Sequence, residues 1–386
     1  MNSESAGGRL VASIARVIGG GAELLFMVPL GGANQRAVEV GVPFDYRWVE
    51  PRQILDGRRR FLPFRGSSWQ PVIRRMLELN LIPSWGQNIF RNKDLLQRIQ
   101  EADVVDLQWQ EQGALIPAIR AVNPSARIVC VFHDVLSQKF ERNAISSQNR
   151  IRKFYWRVAE QQARRLEKRI VRDADRIVVL SEKDRDLLPG SGRNVVIVRP
   201  EPARFDGACV VRDPEPKLLL FVGFLARFEN EDAIVWFMDE ILPMVRRVHP
   251  DVRVKVAGRG IRPHVQENAD RSGVSLLDFV EDLAPLYSQA SCMVVPLRHG
   301  AGVKFKVVDA IANGVPVVTT SVGAEGIFEN GKEIPTFDDA DSFAHEVIRK
   351  LNDQSAAEIE ARSLAKLFFE DSDSTEYSEI IRSIYF

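Results

Sequence analysis

The residues best suited to bind an anion lie in 296–326, PLRHGAGVKFKVVDAIANGVPVVTTSVGAEG. Gly300 and Gly302 separate a strand pattern from a helix pattern, where glycine lets backbone N–H groups approach a ligand closely. Lys304 and Lys306 fall in the first turn of the predicted helix, where a cation is unfavourable against the helix dipole. A bound phosphate would explain that placement. A plain turn with a solvated lysine pair is the alternative for so short a glycine pattern.

Histidines supply further candidates for chemistry. His133 ends a strand of buried type, so its imidazole is expected at a ligand-facing sheet edge, where it can donate to a sugar hydroxyl or a phosphate. A satisfied structural histidine is the competing explanation. His299, inside the glycine loop, is a second candidate for contact with a sugar. The sequence has no HExxH, Walker A or GxGxxG motif, so the enzyme classes that these motifs define are not indicated.

A cluster around Trp109 follows another strand pattern, in the run Gln108-Trp109-Gln110-Glu111-Gln112. The indole and the amides would suit sugar recognition by stacking and hydrogen bonding. The start of a helix is an equally good explanation of this run.

The elements that must position these residues alternate between short Val/Ile/Leu-rich runs and longer helix patterns. Near-continuous apolar strands are typical of parallel sheets buried on both faces, so we predict an α/β, doubly wound architecture. The strand candidates are 23–29, 44–49, 103–108, 127–133, 176–180, 195–198, 217–223, 252–257, 292–296 and 316–319.

Two proline-rich runs, 199–202 and 213–216, divide the chain. The charge changes sign there as well. Residues 1–205 hold 33 Lys and Arg against 22 Asp and Glu, giving +11, and the remainder carries −11, so the net charge is zero. We predict an N-terminal domain of residues 1–205, a C-terminal domain of residues 206–370, and a last segment, 371–386, that packs back on the first domain. Ligands of such sheets bind beyond the carboxyl ends of the strands.

Composition excludes several other classes of protein. With 386 residues, 45% of them apolar, the chain can bury two or three cores, which excludes disorder, collagen and coiled coil as its main state. Cys130, Cys209 and Cys292 lie far apart without CxxC spacing, so neither a disulfide framework nor a zinc site is predicted. No apolar stretch reaches about 18 residues. A cytoplasmic protein is therefore expected.

The pattern in 296–326 resembles the donor-binding region of glycosyltransferase family 4, the retaining GT-B enzymes of glycosyl transferases group 1. The resemblance extends over most of the chain, through FVGFLARFENEDAIVWFMDEILPMV (221–245), LLDFVEDLAPLYSQASCMVVPLR (276–298), FHDVLSQKFER (132–142) and LEKRIVRDADRIVVLSEKDRDLL (166–188). It implies two Rossmann-like domains facing across a cleft. A UDP- or GDP-sugar would bind in the C-terminal domain and a saccharide or lipid-linked acceptor in the N-terminal one. Transfer would retain the anomeric configuration, without a metal or a cofactor.

The resemblance also implies roles for single residues. Asp309 stands where the family binds the ribose hydroxyls, and Lys304 and Lys306 stand where basic groups meet the diphosphate. Val280 would offer backbone groups to the base. His133 matches the histidine near the reacting sugar and is the candidate catalytic residue.

The glycine loop and the N-terminus complete the expected donor site. His299, Gly300 and Gly302 would contact the sugar and the phosphates. Gly7 and Gly8 resemble a Gly-Gly loop that approaches the phosphates from the other domain. Such a loop follows a central strand, so we expect residues upstream of Met1. The loop Gly31-Gly32 is the alternative.

Two departures from the family pattern keep a second function open. The first carboxylate of the family's paired motif is replaced by Ala301, although the branch with a PLRxGxG loop also lacks it. The usual arginine after the first strand of the C-terminal domain is Phe224, so Arg227 or the lysine pair is expected to compensate. A non-catalytic GT-B protein that binds a nucleotide sugar is therefore the alternative.

Two regions carry much of the positive charge. Residues 50–100 interleave arginines with Phe and Trp, a pattern that fits nucleic acid or an anionic membrane surface. The resemblance favours the membrane, because many relatives glycosylate lipid-linked acceptors and the predicted acceptor domain is the basic one. Residues 149–172 are typical of a solvated helix face.

Overall fold

The chain folds into two α/β units built on parallel sheets. The computed structural model describes residues 6–19, 23–29, 45–49, 89–190, 192, 194–203, 210–328, 332–370 and 374–386. The first unit comprises Met1–Arg199 with Ser374–Phe386, and the second comprises Pro200–Asp373. The predicted α/β class with parallel sheets is confirmed.

Unit 1 contains a parallel four-stranded sheet in the order β3-β4-β5-β6 and a parallel pair, β1-β2. Its strands are β1 Leu25–Pro29, β2 Asp45–Val49, β3 Val104–Gln108, β4 Arg127–Val131, β5 Arg176–Val179 and β6 Val195–Ile197. The described helices are α1 Ala6–Ile18, α2 Lys93–Glu101, α3 Ile116–Val122, α4 Leu136–Ser146, α5 Arg150–Asp173 and α6 Glu182–Leu187, with a 3₁₀ turn at Gln110–Leu115.

The N-terminal glycines lie in a helix rather than in the expected loop. Gly7 and Gly8 fall within the first turns of α1. The reason is the apolar spacing that follows them, because Leu10, Ile14 and Ile18 recur at helical intervals and are buried. The prediction of a Gly-Gly loop is therefore wrong in conformation, and their contact with a donor stays a prediction. Gly31 and Gly32 lie outside the described residues.

The last helix of the chain, α15 Ser374–Tyr385, belongs to unit 1. Ile381 and Ile384 are completely buried. Arg127 of β4 donates from Nη1 to the Ile384 carbonyl at 3.1 Å, which places a cation at the C-terminal end of the helix dipole.

Unit 2 contains a parallel five-stranded sheet in the order β11-β10-β7-β8-β9. Its strands are β7 Leu218–Val222, β8 Arg253–Ala257, β9 Ser275–Leu277, β10 Cys292–Val295 and β11 Val317–Thr319. Its helices are α7 Phe228–Trp236, α8 Leu242–Val248, α9 Pro263–Arg271, α10 Ala284–Gln289, α11 Phe305–Ala312, α12 Ser321–Ala324, α13 Ala340–Asn352 and α14 Gln354–Glu370, with a π turn at Phe237–Ile241 between α7 and α8. The strand order reverses between β7 and β10, which is where open α/β sheets bind ligands.

All ten predicted strands are present, with ends that differ by one or two residues. The sequence missed β9, since its three residues are too few to show a period. Cys130 and Cys292 are fully buried, as the strand patterns indicated. Among the described residues, no helix has both the length and the apolar character needed to cross a bilayer.

Candidate functional site

The glycine loop after β10 and the loop after β7 meet at the switch point of the unit 2 sheet. Each loop leads into a helix, α11 and α7 respectively. Lys304 and Lys306 lie at the N-terminus of α11, and Arg227 lies at the N-terminus of α7. Lys304 and Arg227 are near enough to Lys306 for their charges to lower its pKa. Backbone N–H groups and positive charge are thus gathered at one edge, which favours an anion.

Lys306 lies between an amide oxygen and an aromatic ring. Its Nζ donates to Oδ1 of Asn230 at 2.6 Å and lies 4.5 Å from the centre of the Phe221 ring. Burial, and then the charges of Lys304 and Arg227, lower the pKa of Lys306 to about 7, although Glu229 opposes this. An ammonium held in this way has lost much of its water and is poised to gain a new anionic partner.

Asn230 and Gly223 build the pocket for the Lys306 ammonium. Asn230 Nδ2 donates to the Phe224 carbonyl at 2.9 Å, so the amide is oriented with its oxygen toward Lys306. A Cβ at Gly223 would lie 2.8 Å from Lys306 Nζ, so a larger residue there would displace the ammonium. No pattern in the sequence marks Asn230, because a polar residue in the first turn of a helix is an ordinary feature.

Lys304 lies at the N-cap position of α11 rather than inside its first turn. Its Nζ donates to the carbonyls of Ala301 at 3.0 Å and Gly302 at 2.5 Å, and lies 3.9 Å from Glu325 Oε2. Gly302 has φ +70° and Gly300 has φ +119°, values that favour glycine. The loop therefore wraps around the Lys304 ammonium, and this lysine organises the loop.

Gly314 ends α11 in the expected way. Its φ is +65°, and its N–H donates to the Ile311 carbonyl at 2.9 Å. This is the left-handed C′ conformation that glycine favours.

His299, expected to contact a sugar, lies beside a carboxylate. Its Nε2 is 3.6 Å from Asp232 Oδ2, and its ring packs against Phe228 with centroids 5.1 Å apart. Arg298 binds the same carboxylate through two hydrogen bonds, of 2.8 and 3.1 Å. Contact between His299 and a sugar stays a prediction.

Asp309, expected to bind ribose, is only 5% exposed. Its Oδ1 accepts a hydrogen bond of 2.8 Å from the Ala203 N–H. Asn313, one turn further along α11, donates from Nδ2 to the Asp309 carbonyl at 2.7 Å. The carboxylate thus holds the segment of backbone that enters unit 2, which the sequence did not predict.

Val280, expected near the base, is half-buried in the irregular segment after β9. Beside it, the Phe279 ring faces the Arg259 guanidinium, whose carbon lies 3.7 Å from the ring centre. Arg259 follows β8, so this contact joins the carboxyl ends of β8 and β9.

Arg227, the proposed substitute for the missing arginine, precedes α7 and is exposed. Phe224, at the position of that arginine, is 51% exposed. Among the described residues, no group of three or more His, Cys, Asp or Glu side chains is arranged to hold a metal ion.

In unit 1, His133 lies just beyond β4, next to the end of β3. Its Nε2 is 3.0 Å from Gln108 Oε1, and its ring stacks on the Trp109 indole with centroids 4.7 Å apart and planes 18° apart. Burial lowers the pKa of His133 to about 4, so the imidazole is neutral at pH 7. Trp109 is 45% exposed and adopts φ +66°, which is rare for a residue other than glycine.

The segment that presents His133 is held by buried polar groups. Gln110 Oε1 accepts from the Leu136 N–H at 3.1 Å, and Glu167 Oε1 accepts from the Ser137 N–H at 3.0 Å and from Gln110 Nε2 at 3.1 Å. These bonds satisfy the first N–H groups of α4, which directly follows His133.

Comparison with known sequences relates part of the chain to glycosyltransferases. Residues 216–353 match the family model described as Glycosyl transferases group 1. An uncharacterized 44.6 kDa protein in the cps region of Klebsiella pneumoniae is 32% identical over 139 residues, which are 34% of this chain and 36% of that protein. The match thus spans about a third of this curated relative.

The fold is similar to several solved structures. Anabaena Alr3699/HepE in complex with UDP and glucose has a TM-score of 0.68 and 14% identity, covering 99% of this chain and 96% of that chain. A mutant of S. aureus TarM in complex with Fondaparinux, alpha-GlcNAc-glycerol and UDP has a TM-score of 0.58 and 11% identity, covering 78% and 58%. A UDP-forming alpha,alpha-trehalose-phosphate synthase from Burkholderia xenovorans has a TM-score of 0.56 and 12% identity, covering 78% of each chain. At such identities the likeness establishes the fold, which is GT-B.

Proposed function

We propose that this chain, whose residues 216–353 match the family model of glycosyl transferases group 1, is a retaining glycosyltransferase. It moves a sugar from a nucleotide-sugar donor to a saccharide or lipid-linked acceptor, in the biosynthesis of a bacterial polysaccharide or glycoconjugate. The observation that carries the proposal is the desolvated Lys306 ammonium at the switch point of the unit 2 sheet. The UDP bound to HepE, and the cps region that holds the Klebsiella relative, support the donor class and the pathway.

The donor diphosphate is assigned to the N-terminus of α11. Lys306 donates to it directly, and Arg227 adds charge from the start of α7. As the bond between the anomeric carbon and the phosphate oxygen breaks, these groups stabilise the negative charge that develops on the leaving diphosphate. No metal is required in this proposal. Asp309 is assigned to the ribose, Val280 to the base, and Gly7 and Gly8 to the phosphates.

The acceptor hydroxyl attacks the same face of the sugar from which the diphosphate leaves, so the anomeric configuration is retained. The leaving diphosphate takes the acceptor proton. His133 is neutral, so it meets the reacting sugar through a hydrogen bond rather than through a positive charge.

Thermal unfolding with a panel of UDP, GDP and ADP sugars tests this function. A ligand that binds only the folded protein raises its Tm, so one nucleotide class is expected to stabilise the chain and the others to leave it unchanged. No stabilisation by any nucleotide sugar would contradict the proposal. Stabilisation without transfer, with a cell extract as the source of acceptor, would favour the non-catalytic alternative that Ala301 and Phe224 suggest.

Donor binding is expected to take up a proton at pH 8. Lys306 has a pKa of about 7 in the free protein and faces Lys304, Arg227 and Glu229, so at pH 8 it is largely uncharged. A diphosphate beside it favours the ammonium form, which raises the pKa and binds a proton. The affinity for UDP should therefore fall as the pH rises above about 7.

Calorimetric titration with UDP at pH 8, in two buffers of different ionisation enthalpy, measures this uptake. The observed enthalpy should differ between the buffers for the wild-type protein and agree for Lys306→Met. Equal enthalpies for the wild-type protein would overturn the prediction.

We further propose that unit 1 contacts an anionic membrane, as expected for a lipid-linked acceptor. Most of the predicted region, residues 50–88, lies outside the described residues. Support comes from the end of α4 and the start of α5, where Ile145, Ile151 and Phe154 are 65%, 57% and 68% exposed. Exposed cations flank them at Arg150, Arg152 and Lys153. Apolar side chains within a basic rim fit an anionic bilayer surface better than a purely solvated helix face.

The protein is expected to sediment with vesicles that contain an anionic phospholipid and to be released by high salt. The double variant Ile151→Ser, Phe154→Ser should lose most of this binding. Ile359→Ser, at a 61% exposed residue of unit 2, is the matched control and should retain it. Equal binding to neutral vesicles would contradict the membrane proposal.

A further inference from the structure

A chain of hydrogen bonds in unit 1 links the last helix of the protein to His133. Tyr385 Oη donates to Asp106 Oδ2 at 2.8 Å, and Gln108 Nε2 donates to the same oxygen at 2.8 Å. Gln108 Oε1 then lies 3.0 Å from His133 Nε2. Asp106 and Gln108 are two residues apart on β3, so the strand places both side chains on one face of the sheet.

The chemistry of these groups fixes the direction of every bond. Burial raises the pKa of Asp106 to about 6, which leaves the carboxylate ionised at pH 8. An ionised carboxylate only accepts hydrogen bonds, so the part of the Gln108 amide that faces Asp106 must be its NH₂ group. The amide oxygen therefore faces His133, and an amide oxygen only accepts. His133 must carry its proton on Nε2, which leaves Nδ1 unprotonated.

We propose that Tyr385, Asp106 and Gln108 are positioning residues that hold His133 as the Nε2–H tautomer, with Nδ1 kept as a hydrogen-bond acceptor. In the proposed function, on which this role in transfer rests, Nδ1 accepts from a hydroxyl of the reacting sugar. The sequence pattern had suggested that His133 would donate instead.

The surrounding residues hold both ends of this series of hydrogen bonds, His133 and Tyr385, in place. The described residues give Nδ1 no hydrogen-bond partner, and the stacked Trp109 indole restrains the plane of the imidazole. At the other end, Tyr385 is 6% exposed and follows the buried Ile384, whose carbonyl is bound by Arg127. The penultimate residue of the chain is thereby coupled to the candidate catalytic histidine.

NMR spectroscopy of the protein labelled with ¹⁵N-histidine, at pH 8, tests the proposal without any need for activity. His133→Gln identifies the His133 signals by their loss. The wild-type protein is expected to show His133 in the Nε2–H form alone. Asp106→Ala frees the Gln108 amide to turn, so the Nδ1–H form should rise by about fivefold, the effect of one ordinary hydrogen bond.

Two further variants keep the test interpretable. Tyr385→Phe preserves the buried ring and removes only the hydroxyl, so it should move the tautomer ratio in the same direction by a smaller factor. Asp103→Ala, at the residue just before β3, is the control and should leave the tautomer ratio unchanged. An Nδ1–H tautomer in the wild-type protein, or a ratio that Asp106→Ala does not change, would overturn the proposal.

The same variants separate this proposal from the proposed function. If both hold, Asp106→Ala lowers the transfer rate and leaves the affinity for UDP unchanged, because UDP lacks the sugar that His133 contacts. A correct tautomer in a protein that binds no nucleotide sugar would refute the function and leave the hydrogen-bond chain established.

Discussion

Lys306→Met is expected to lower the rate of sugar transfer by at least about a hundredfold, the usual effect of removing one group that stabilises charge in a transition state. Methionine keeps the length and the apolar part of the side chain and removes only the ammonium. The effect should appear mainly in kcat, since the charge on the leaving diphosphate is greatest as the bond to the sugar breaks.

The same variant should fold at least as well as the wild-type protein. The pKa of Lys306 is lowered from 10.5 to about 7, so the folded state disfavours the charged form that the unfolded chain carries up to about pH 10. Between these two pKa values the unfolded state therefore binds more protons than the folded state. The wild-type protein should thus be less stable than the methionine variant near neutral pH, and the difference in their free energies of unfolding should shrink as the pH rises.

A matched lysine on the same unit provides the control. Lys366 lies on α14 with its side chain 79% exposed, paired with Glu370 one turn away. Lys366→Met should leave transfer and Tm unchanged, because an exposed pair of this kind contributes little. Transfer by Lys306→Met at more than a third of the wild-type rate would contradict the role assigned to Lys306.

Gly258→Ala is expected to reduce the free energy of unfolding of unit 2 by about 3 kcal/mol or more, at the upper end of what overpacking costs. Gly258 follows β8, and a Cβ there would lie 1.7 Å from the carbonyl oxygen of Gly223, the residue after β7. The added Cβ is fixed directly to the backbone, and the oxygen that it meets belongs to the backbone, so neither atom can rotate away. The displaced Gly223 would also disturb the pocket for Lys306.

Gly314→Ala separates this clash from the cost of backbone conformation. Gly314 has φ +65°, and a Cβ added there would meet no atom within 4 Å, so alanine should cost only about 1–2 kcal/mol. Urea unfolding of the two variants, followed by a spectroscopic signal of unit 2, measures the difference. Equal destabilisation by both substitutions would show that the approach of Gly258 to Gly223 is not tight in solution.

The strands were predictable because burial on both faces requires long apolar runs. Leu218–Val222 and Cys292–Val295 are examples, and in each nearly every residue is buried. The glycine loop could be located as well, since Gly300 and Gly302 adopt positive φ values that few other residues tolerate. Tertiary contacts decide where the chain divides into its two units, and they place Ser374–Phe386 in the first unit.

Side-chain partners across the fold could not be predicted. The bond between Lys306 and Asn230 joins residues 76 positions apart, and the one between Tyr385 and Asp106 joins residues 279 apart. Neither pair follows a helix or strand period, so no pattern in the sequence signals it. Asp309 illustrates the same limit, because its acidic side chain suits a ribose and equally suits the Ala203 amide that it binds.

The most direct test of the account is a transfer assay with a nucleotide sugar that stabilises the protein, labelled in the sugar. Label should pass into a saccharide or lipid fraction of a cell extract with wild-type protein and with Lys366→Met, and Lys306→Met should transfer at least about a hundredfold less. The new bond should have the anomeric configuration of the donor. Binding of the donor with no transfer to any fraction, or transfer that Lys306→Met leaves unchanged, would contradict the account.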